Sequence, residues 1–176
     1  MRISDIIFSN TYTYTDFHRR FSLLKEFIEF LLYKDRQKHL PVLDRFDRFC
    51  VGKRITDDNK EAVKEWGEDL FKKILSSKDP YDILSEIEDD FKKCPVFFLQ
   101  TPVEPRSEDV VFIGKWIKKN VDERAFLIFK ADCDMAAGCY FSWGDEKYDM
   151  SFKSMKKTQY KKISSRIKEI MNENIL

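Results

Sequence analysis

The hydrophobic pattern of the sequence changes once, at Cys94-Pro95, and this change limits the folds that the chain can adopt. Before it, apolar residues recur every three or four positions, as on one face of an amphipathic helix. After it, short apolar runs rich in strand-forming residues alternate with helical segments. We therefore predict an α+β protein with a boundary near residues 93–95. An all-helical bundle over residues 1–94 precedes a small β-α-β-β-β-α domain over residues 95–176.

The clearest helical stripe covers residues 17–31, where apolar side chains are spaced by four and three positions. Asp16 or Thr15 suits the N-cap of this helix, because short polar side chains accept hydrogen bonds from free N–H groups. Farther along, Asp79 suits an N-cap and Pro80 the first position of a helix. These signals predict helices through the whole first half.

Two helices are expected between these two: a short one with Pro41 in its first turn and Gly52 at its end, and then a longer one. Asp58 and Glu61 resemble a carboxylate variant of the capping box at its start. Its buried stripe consists of Val63, Trp66, Leu70 and Ile74.

The second half begins with the strand "VFFLQ" at residues 96–100. A helix over residues 107–119 and a second strand at 124–130 follow, an order that favours a parallel strand pair. Residues 139–143 then form a hairpin with "EKYDM" through a turn at Gly144-Asp145. The chain is expected to be helical from about Ser151, with four side chains facing inward: Met155, Ile163, Ile167 and Ile170.

Composition indicates a globular protein and excludes several classes. The 176 residues are 43% hydrophobic and carry a net charge of +1, so the overall charge favours neither nucleic acid nor a membrane surface. The four cysteines contain no C-x-x-C pair, and the first ten residues lack the basic and apolar regions of a secretory signal. Free thiols in a reducing compartment are expected. No apolar run approaches the roughly 20 residues of a membrane helix.

Residues 131–151, "ADCDMAAGCYFSWGDEKYDMS", crowd two cysteines, several aspartates and two glycines into one stretch. Cys133 and Cys139 lack the spacing of zinc ligands, and the histidines His18 and His39 lie in the helical half. Phosphate-binding glycine motifs are absent. We therefore expect no metal, no cofactor and no catalysis, and interpret both cysteines as packing residues. An enzyme acting through Cys133 or Cys139 remains an alternative.

The last predicted helix is strongly basic. Between residues 150 and 168 it contains no acidic residue and seven basic ones: Lys153, Lys156, Lys157, Lys161, Lys162, Arg166 and Lys168. Three interpretations stay open: a solvated face, a docking surface for an acidic protein helix, or a nucleic-acid-binding surface.

Spacing within the glycine-containing stretch follows the pattern D-x-x-x-x-x-G-x(10)-D-x-S, on Asp132, Gly138, Asp149 and Ser151. This pattern resembles the C-terminal signature of the F-type ATP synthase delta subunit, called the oligomycin sensitivity conferral protein in mitochondria. Gly144 lies at the corresponding hairpin turn. Cys133 and Ala137 replace a proline and a glycine that are typical of the family.

Each of these positions also has a structural role that does not depend on the resemblance. Gly138 permits a conformation or a close approach that a side chain would block. Asp132 ties the turn after its strand, and Asp149 and Ser151 accept N–H bonds where the hairpin meets the helix. Ser151 is the expected N-cap.

The resemblance implies a non-catalytic subunit of the peripheral stalk that has no cofactor and does not bind nucleic acid. Its partners would be the N-terminal helices of the alpha subunits and the b-type stalk helices. The subunit would lie peripherally at the cytoplasmic face of an energy-transducing membrane. A small nucleic-acid-binding protein using the Lys-rich last helix is the alternative. Candidate partner contacts are Ile3, Ile6, Ile7 and Phe8 facing Ile83 and Ile87 in one groove, and Lys156, Lys157 and Lys161 on the last helix.

Overall fold

The computed structural model describes residues 2–173, excluding the side chains of residue 163 and residues 166–173. The first half forms a helical bundle: α1 (Ile3–Ser9), α2 (Tyr14–Tyr33), α3 (Val42–Cys50), α4 (Asp57–Glu65), α5 (Glu68–Leu75) and α6 (Pro80–Lys92). The second half contains β1 (Val96–Thr101), α7 (Ser107–Asn120), β2 (Phe126–Ala131), β3 (Tyr140–Trp143), β4 (Glu146–Asp149) and α8 (Phe152–Glu173). The predicted α+β class and order of elements are confirmed.

One predicted helix is in fact two. The structure ends α4 before Gly67 and begins α5 after it, because Gly67 has a φ of 83°, in the left-handed region that interrupts a right-handed helix. The predicted stripe is nevertheless correct, since Val63, Trp66, Leu70 and Ile74 are all buried. The interruption therefore divides the helix in two without changing which residues enter the core.

Two predicted helix starts are displaced toward the N-terminus. Thr13 caps α2 in place of Thr15 or Asp16, and its hydroxyl oxygen accepts the N–H of Asp16 at 2.9 Å. The backbone of Thr13 is extended, because Thr13 forms a parallel bridge with Leu127 of β2. At α4 the N-cap is Thr56, two residues before the predicted Asp58. The start at Asp79 and Pro80 is confirmed, with the Asp79 carboxylate accepting the Tyr81 N–H.

The strands form one mixed sheet in the order β2-β1-β3-β4 within the described residues. β1 and β2 are parallel, as predicted, and α7 makes the crossover between them. β3 returns antiparallel to β1, and β4 forms a hairpin with β3. Ile113 and Ile117 of α7 pack on one face of the sheet, in a cluster with Phe97, Leu127 and Trp143.

The helical and sheet halves share part of their core across the boundary near residue 94. Phe126, at the start of β2, is fully buried in the helical core, with its ring centroid 5.3 Å from that of Phe8 and 4.9 Å from that of Phe91. The backbone N–H of Leu127 donates to the carbonyl of Tyr12 at 2.8 Å. The first residues of β2 therefore belong to both halves.

Helix α7 also contacts the segment that leads into α2. A Cβ placed on Gly114 would lie 2.6 Å from the Cβ of Tyr12, so the helix backbone lies directly against this ring. One turn later, the Lys118 ammonium donates to the carbonyl of Phe8 at 2.7 Å. A glycine and a half-buried lysine thus allow α7 to lie close to the N-terminal segment.

Within the described residues, no helix is both long and apolar enough to cross a membrane.

Candidate interaction surfaces

Asp132 joins the ends of two strands at the start of the glycine-containing stretch. One carboxylate oxygen accepts the side-chain N–H of Gln100 at 2.6 Å, and the other accepts the backbone N–H of Asp134 at 3.0 Å. The backbone N–H of Asp132 donates to Thr101. Asp132 therefore ties the turn after β2, as predicted, and links it to the end of β1.

Both glycines of the stretch have positive φ. Gly138 has a φ of 91°, and a Cβ there would overlap the carbonyl oxygen of Met150. Gly144 has a φ of 56° and begins the two-residue turn between Trp143 and Glu146, as in a type II′ hairpin. The predicted need for glycine at both positions is confirmed.

Asp149 and Ser151 organise the passage from the hairpin into α8. The carboxylate of Asp149 accepts the backbone N–H of Ser151 at 2.9 Å, and the hydroxyl of Ser151 accepts the N–H of Ser154 at 3.2 Å. Hydrogen bonding by Ser151 lowers the pKa of Asp149. Ser151 is therefore an N-cap, as predicted, and the residues of the motif act together to start a helix.

The cysteines in this stretch do not both pack. Cys133 is exposed and Cys139 half-buried, so the interpretation of Cys133 as a packing residue is wrong. Cys133 lies in the open turn after β2, where no other element covers it. Among the described residues, no group of three or more His, Cys, Asp or Glu side chains could hold a metal ion.

Helix α8 projects a basic and partly apolar surface. All the side chains that the structure describes from Met155 onward are exposed, including Lys156, Lys157 and Lys161. Met155 is 56% exposed, so the prediction that it faces inward is wrong. The helix follows the edge strand β4, whose residues are all exposed. Five residues of the predicted last helix lie outside the described side chains: Ile163, Arg166, Ile167, Lys168 and Ile170.

The predicted groove between α1 and α6 is largely filled by the protein itself. Ile7, Phe8 and Ile87 are fully buried in the helical core, so they are unavailable to a partner and their prediction as contacts is wrong. Residues of α1 and α6 pack directly on each other here, in one buried cluster. Only Ile3, Ile6 and Ile83 of the predicted set are half-buried.

Charged groups close the inner end of the same seam. Ser4 on α1 donates its hydroxyl to Asp90 on α6 at 2.8 Å. Arg124, from the loop before β2, lies 3.6 Å from Asp90 and 3.8 Å from Asp5. The sheet half therefore occupies part of the region where a partner helix was expected.

An exposed aromatic pair on α7 was missed by the sequence reasoning. Phe112 is 72% exposed and Trp116 is 54% exposed, and they lie one helical turn apart on the side facing away from the sheet. Their signal was present in the sequence, because they fall outside the stripe of Val110, Ile113 and Ile117. Large aromatic side chains at such a position are typical of interfaces.

No family model matches the chain. No curated protein matches it either. The local geometry of residues 132–151 and the exposed surfaces of α7 and α8 are thus the observations from which a function can be inferred.

Proposed function

We propose that the chain is a non-catalytic peripheral-stalk subunit, or stator, of an F-type ATP synthase. The observation that carries this proposal is the spacing of Asp132, Gly138, Asp149 and Ser151, together with their arrangement around one strand-to-helix junction. The order of a helical bundle, then β-α-β-β-β-α, agrees with what the resemblance implies.

A stator subunit resists rotor torque by binding partners at two separate surfaces. In the proposed arrangement the helical half binds the N-terminal helices of the alpha subunits, and the sheet half holds the distal ends of the b-type stalk helices. The protein is then peripheral, at the cytoplasmic face of the energy-transducing membrane, and is held there by the complex. The core contacts that the two halves share through Phe126 support this role, because they join the two binding surfaces.

Helix α8 is the surface that we assign to the b-type partner. Lys156, Lys157 and Lys161 form a basic face, while Phe152 and Met155 expose apolar surface at the start of the helix. An amphipathic helix with acidic residues beside its apolar stripe complements such a surface. The aromatic pair Phe112 and Trp116 supplies further apolar contact area on the sheet half.

On the helical half, the half-buried side chains Ile3, Ile6 and Ile83 are the part of the predicted groove left for an alpha-subunit helix. This surface is small, because the core and Arg124 occupy the rest of the seam. We therefore expect the helical half to bind more weakly than the sheet half.

Co-purification tests the proposal directly. The chain, carrying an affinity tag, is co-expressed with the b-type and alpha subunits of an F-type ATP synthase from the same genome. We expect stoichiometric recovery of the b-type subunit with the wild-type chain. The triple substitution Lys156→Glu, Lys157→Glu and Lys161→Glu is expected to weaken binding at least about tenfold, because it replaces attraction by repulsion.

A matched control changes three exposed lysines of the helical half, Lys34→Glu, Lys38→Glu and Lys78→Glu, and should leave b-type binding unchanged. If neither subunit is recovered with the wild-type chain, the stator proposal is wrong. Equal loss of binding in both triple variants would instead show that only net charge matters.

The exposed lysines of α8 also favour a second candidate, a small nucleic-acid-binding protein. Its affinity would fall steeply with salt, because lysine–phosphate contacts release counterions. Retention on a polyanion column across a salt gradient separates the candidates. Tight retention at moderate salt, with no recovery of ATP synthase subunits, would favour nucleic-acid binding.

A further inference from the structure

A groove in the helical half, between α2 and the connection from α3 to α4, is not used by the proposed function. One wall is a face of α2, formed by Arg19, Ser22, Leu23 and Glu26 at spacings of three and four residues. The other wall is the connection from α3 to α4, residues 53–56. The groove has a volume of about 590 Å³, within the usual range of small-molecule sites.

The charges that line the groove are mostly positive. Arg19, Lys53 and Arg54 contribute three cations and Glu26 one carboxylate, which leaves a net charge of +2. Glu26 on the α2 wall forms an ion pair with Lys53 on the other wall. Within the part of the chain that the structure describes, Arg19 and Arg54 form no ion pair.

The base of the groove is apolar and firmly held. Leu23 is buried, and Ile55 is half-buried against the helical core. Beside them, the guanidinium of the buried Arg20 donates to the side-chain oxygen of Asn59 at 3.0 Å, which fixes the start of α4 against α2. The hydroxyls of Ser22 and Thr56 lie at the rim and supply further donors.

We propose that this groove binds a small organic oxyanion, a molecule with a phosphate or carboxylate group on an apolar body. Arg19 and Arg54 would hold the anionic group, since guanidinium groups bind phosphate and carboxylate oxygens in a bidentate manner. Leu23 and Ile55 would contact the apolar body. A small molecule fits better than a peptide helix, because the volume of about 590 Å³ is that of a small-molecule site.

The test uses anilinonaphthalene sulfonate as the probe, since it combines aromatic rings with one anionic group. Its fluorescence is titrated against the full chain, and backbone amide shifts locate the site by NMR. We expect one saturable site with shifts at Ser22, Thr56 and Asn59. The variants Arg19→Gln and Arg54→Gln should each weaken binding about tenfold, the loss typical of a charge-assisted hydrogen bond.

Three controls make the result specific. Phenylnaphthylamine has the same rings without the sulfonate and should bind at least about tenfold more weakly if the guanidinium groups are responsible. Arg36→Gln, at an exposed arginine outside the groove, should change nothing. Lys157→Gln on α8 should also leave binding at this site unchanged, which separates this inference from the stator proposal.

Competition then shows which of the two anionic groups, phosphate or carboxylate, the groove prefers. Inorganic phosphate and acetate are compared at constant ionic strength, and the better competitor identifies the favoured group. Binding that survives Arg19→Gln and Arg54→Gln together, or equal binding of the uncharged probe, would overturn the proposal. Both arginines are exposed, so these variants should fold, and circular dichroism verifies it.

Discussion

At Gly138 two backbone segments lie in direct contact, and no other residue type fits there. A Cβ would overlap the carbonyl oxygen of Met150, and the φ of 91° is itself unfavourable for an L side chain. The flanking hydrogen bonds, from Met150 N–H to Cys139 and from Phe152 N–H to Ala137, hold the two segments together. This contact acts together with the capping bonds of Asp149 and Ser151 where the hairpin ends and α8 begins.

Gly138→Ala is therefore expected to destabilise the protein by at least about 2 kcal/mol, through backbone strain and overlap together. Urea denaturation followed by circular dichroism measures the change. Gly52→Ala is a matched control, since Gly52 has a φ of 79° but open space where the Cβ would lie. If both variants lose the same stability, the close approach at Gly138 contributes nothing.

The motif residues were predictable individually because each acts on its near neighbours in the chain. Asp149 and Ser151 accept N–H groups two and three residues away, which is a local rule of helix capping. Burial of Ile7, Phe8 and Ile87 was not predictable in the same way. Phe8, for example, packs against Phe126, which lies more than a hundred residues later in the chain.

At the level of elements, periodicity predicted which faces are buried better than it predicted where helices start and stop. The stripe through α4 and α5 is continuous, so Gly67 alone carried the signal for the break. Thr13 could not be identified as the cap of α2, because its extended conformation comes from the bridge to Leu127. Tertiary contacts set these boundaries.

Lys118 connects α7 to the end of α1, and its environment makes the stability of this contact depend on pH. Burial lowers the pKa of Lys118 to about 8, with Cys94, Asp122 and Glu123 as the nearest titratable groups that oppose the shift. The unfolded chain, with its ordinary lysine pKa of 10.5, binds more protons than the folded chain between about pH 8 and 10.5. The contribution of Lys118 to the free energy of unfolding therefore increases as the pH rises through this window.

Lys118→Met should remove this increase. The difference in free energy of unfolding between wild type and variant is measured by urea denaturation at intervals from pH 7 to pH 10. As the pH rises, the free energy of unfolding of the wild type should increase relative to that of the variant by at most about 1.4 kcal/mol per pH unit. Lys119→Met, at an exposed neighbour, should show no such trend. A constant difference for Lys118→Met would mean that this lysine keeps its ordinary pKa when folded.

At the scale of the whole molecule, the boundary near residue 94 separates two patterns of secondary structure but does not separate two cores. Phe126 packs among the helices, Leu127 pairs with Tyr12, and Arg124 lies between α1 and α6. We therefore expect the helical and sheet halves to unfold in a single transition.

Tryptophan fluorescence can follow each half separately in denaturant. Trp66 lies in the helical core and Trp143 on the sheet, so variants that retain only one of them report on different halves. The unfolding midpoints of the two variants should coincide. Phe126→Ala should lower both midpoints and reduce the free energy of unfolding by about 3–5 kcal/mol. Two separate midpoints in the presence of Phe126 would show that the halves fold independently.

The position of Phe126 in the helical core also has a consequence for the order in which the protein forms during synthesis. The helices are translated first, yet their core lacks one of its large aromatic side chains until residue 126 has left the ribosome. Phe8, Phe17 and Phe91 remain incompletely packed during that interval, when hydrophobic surface is most exposed to aggregation. This chain thus most needs protection by a chaperone during the interval when its helical half has been synthesised and residue 126 has not yet left the ribosome.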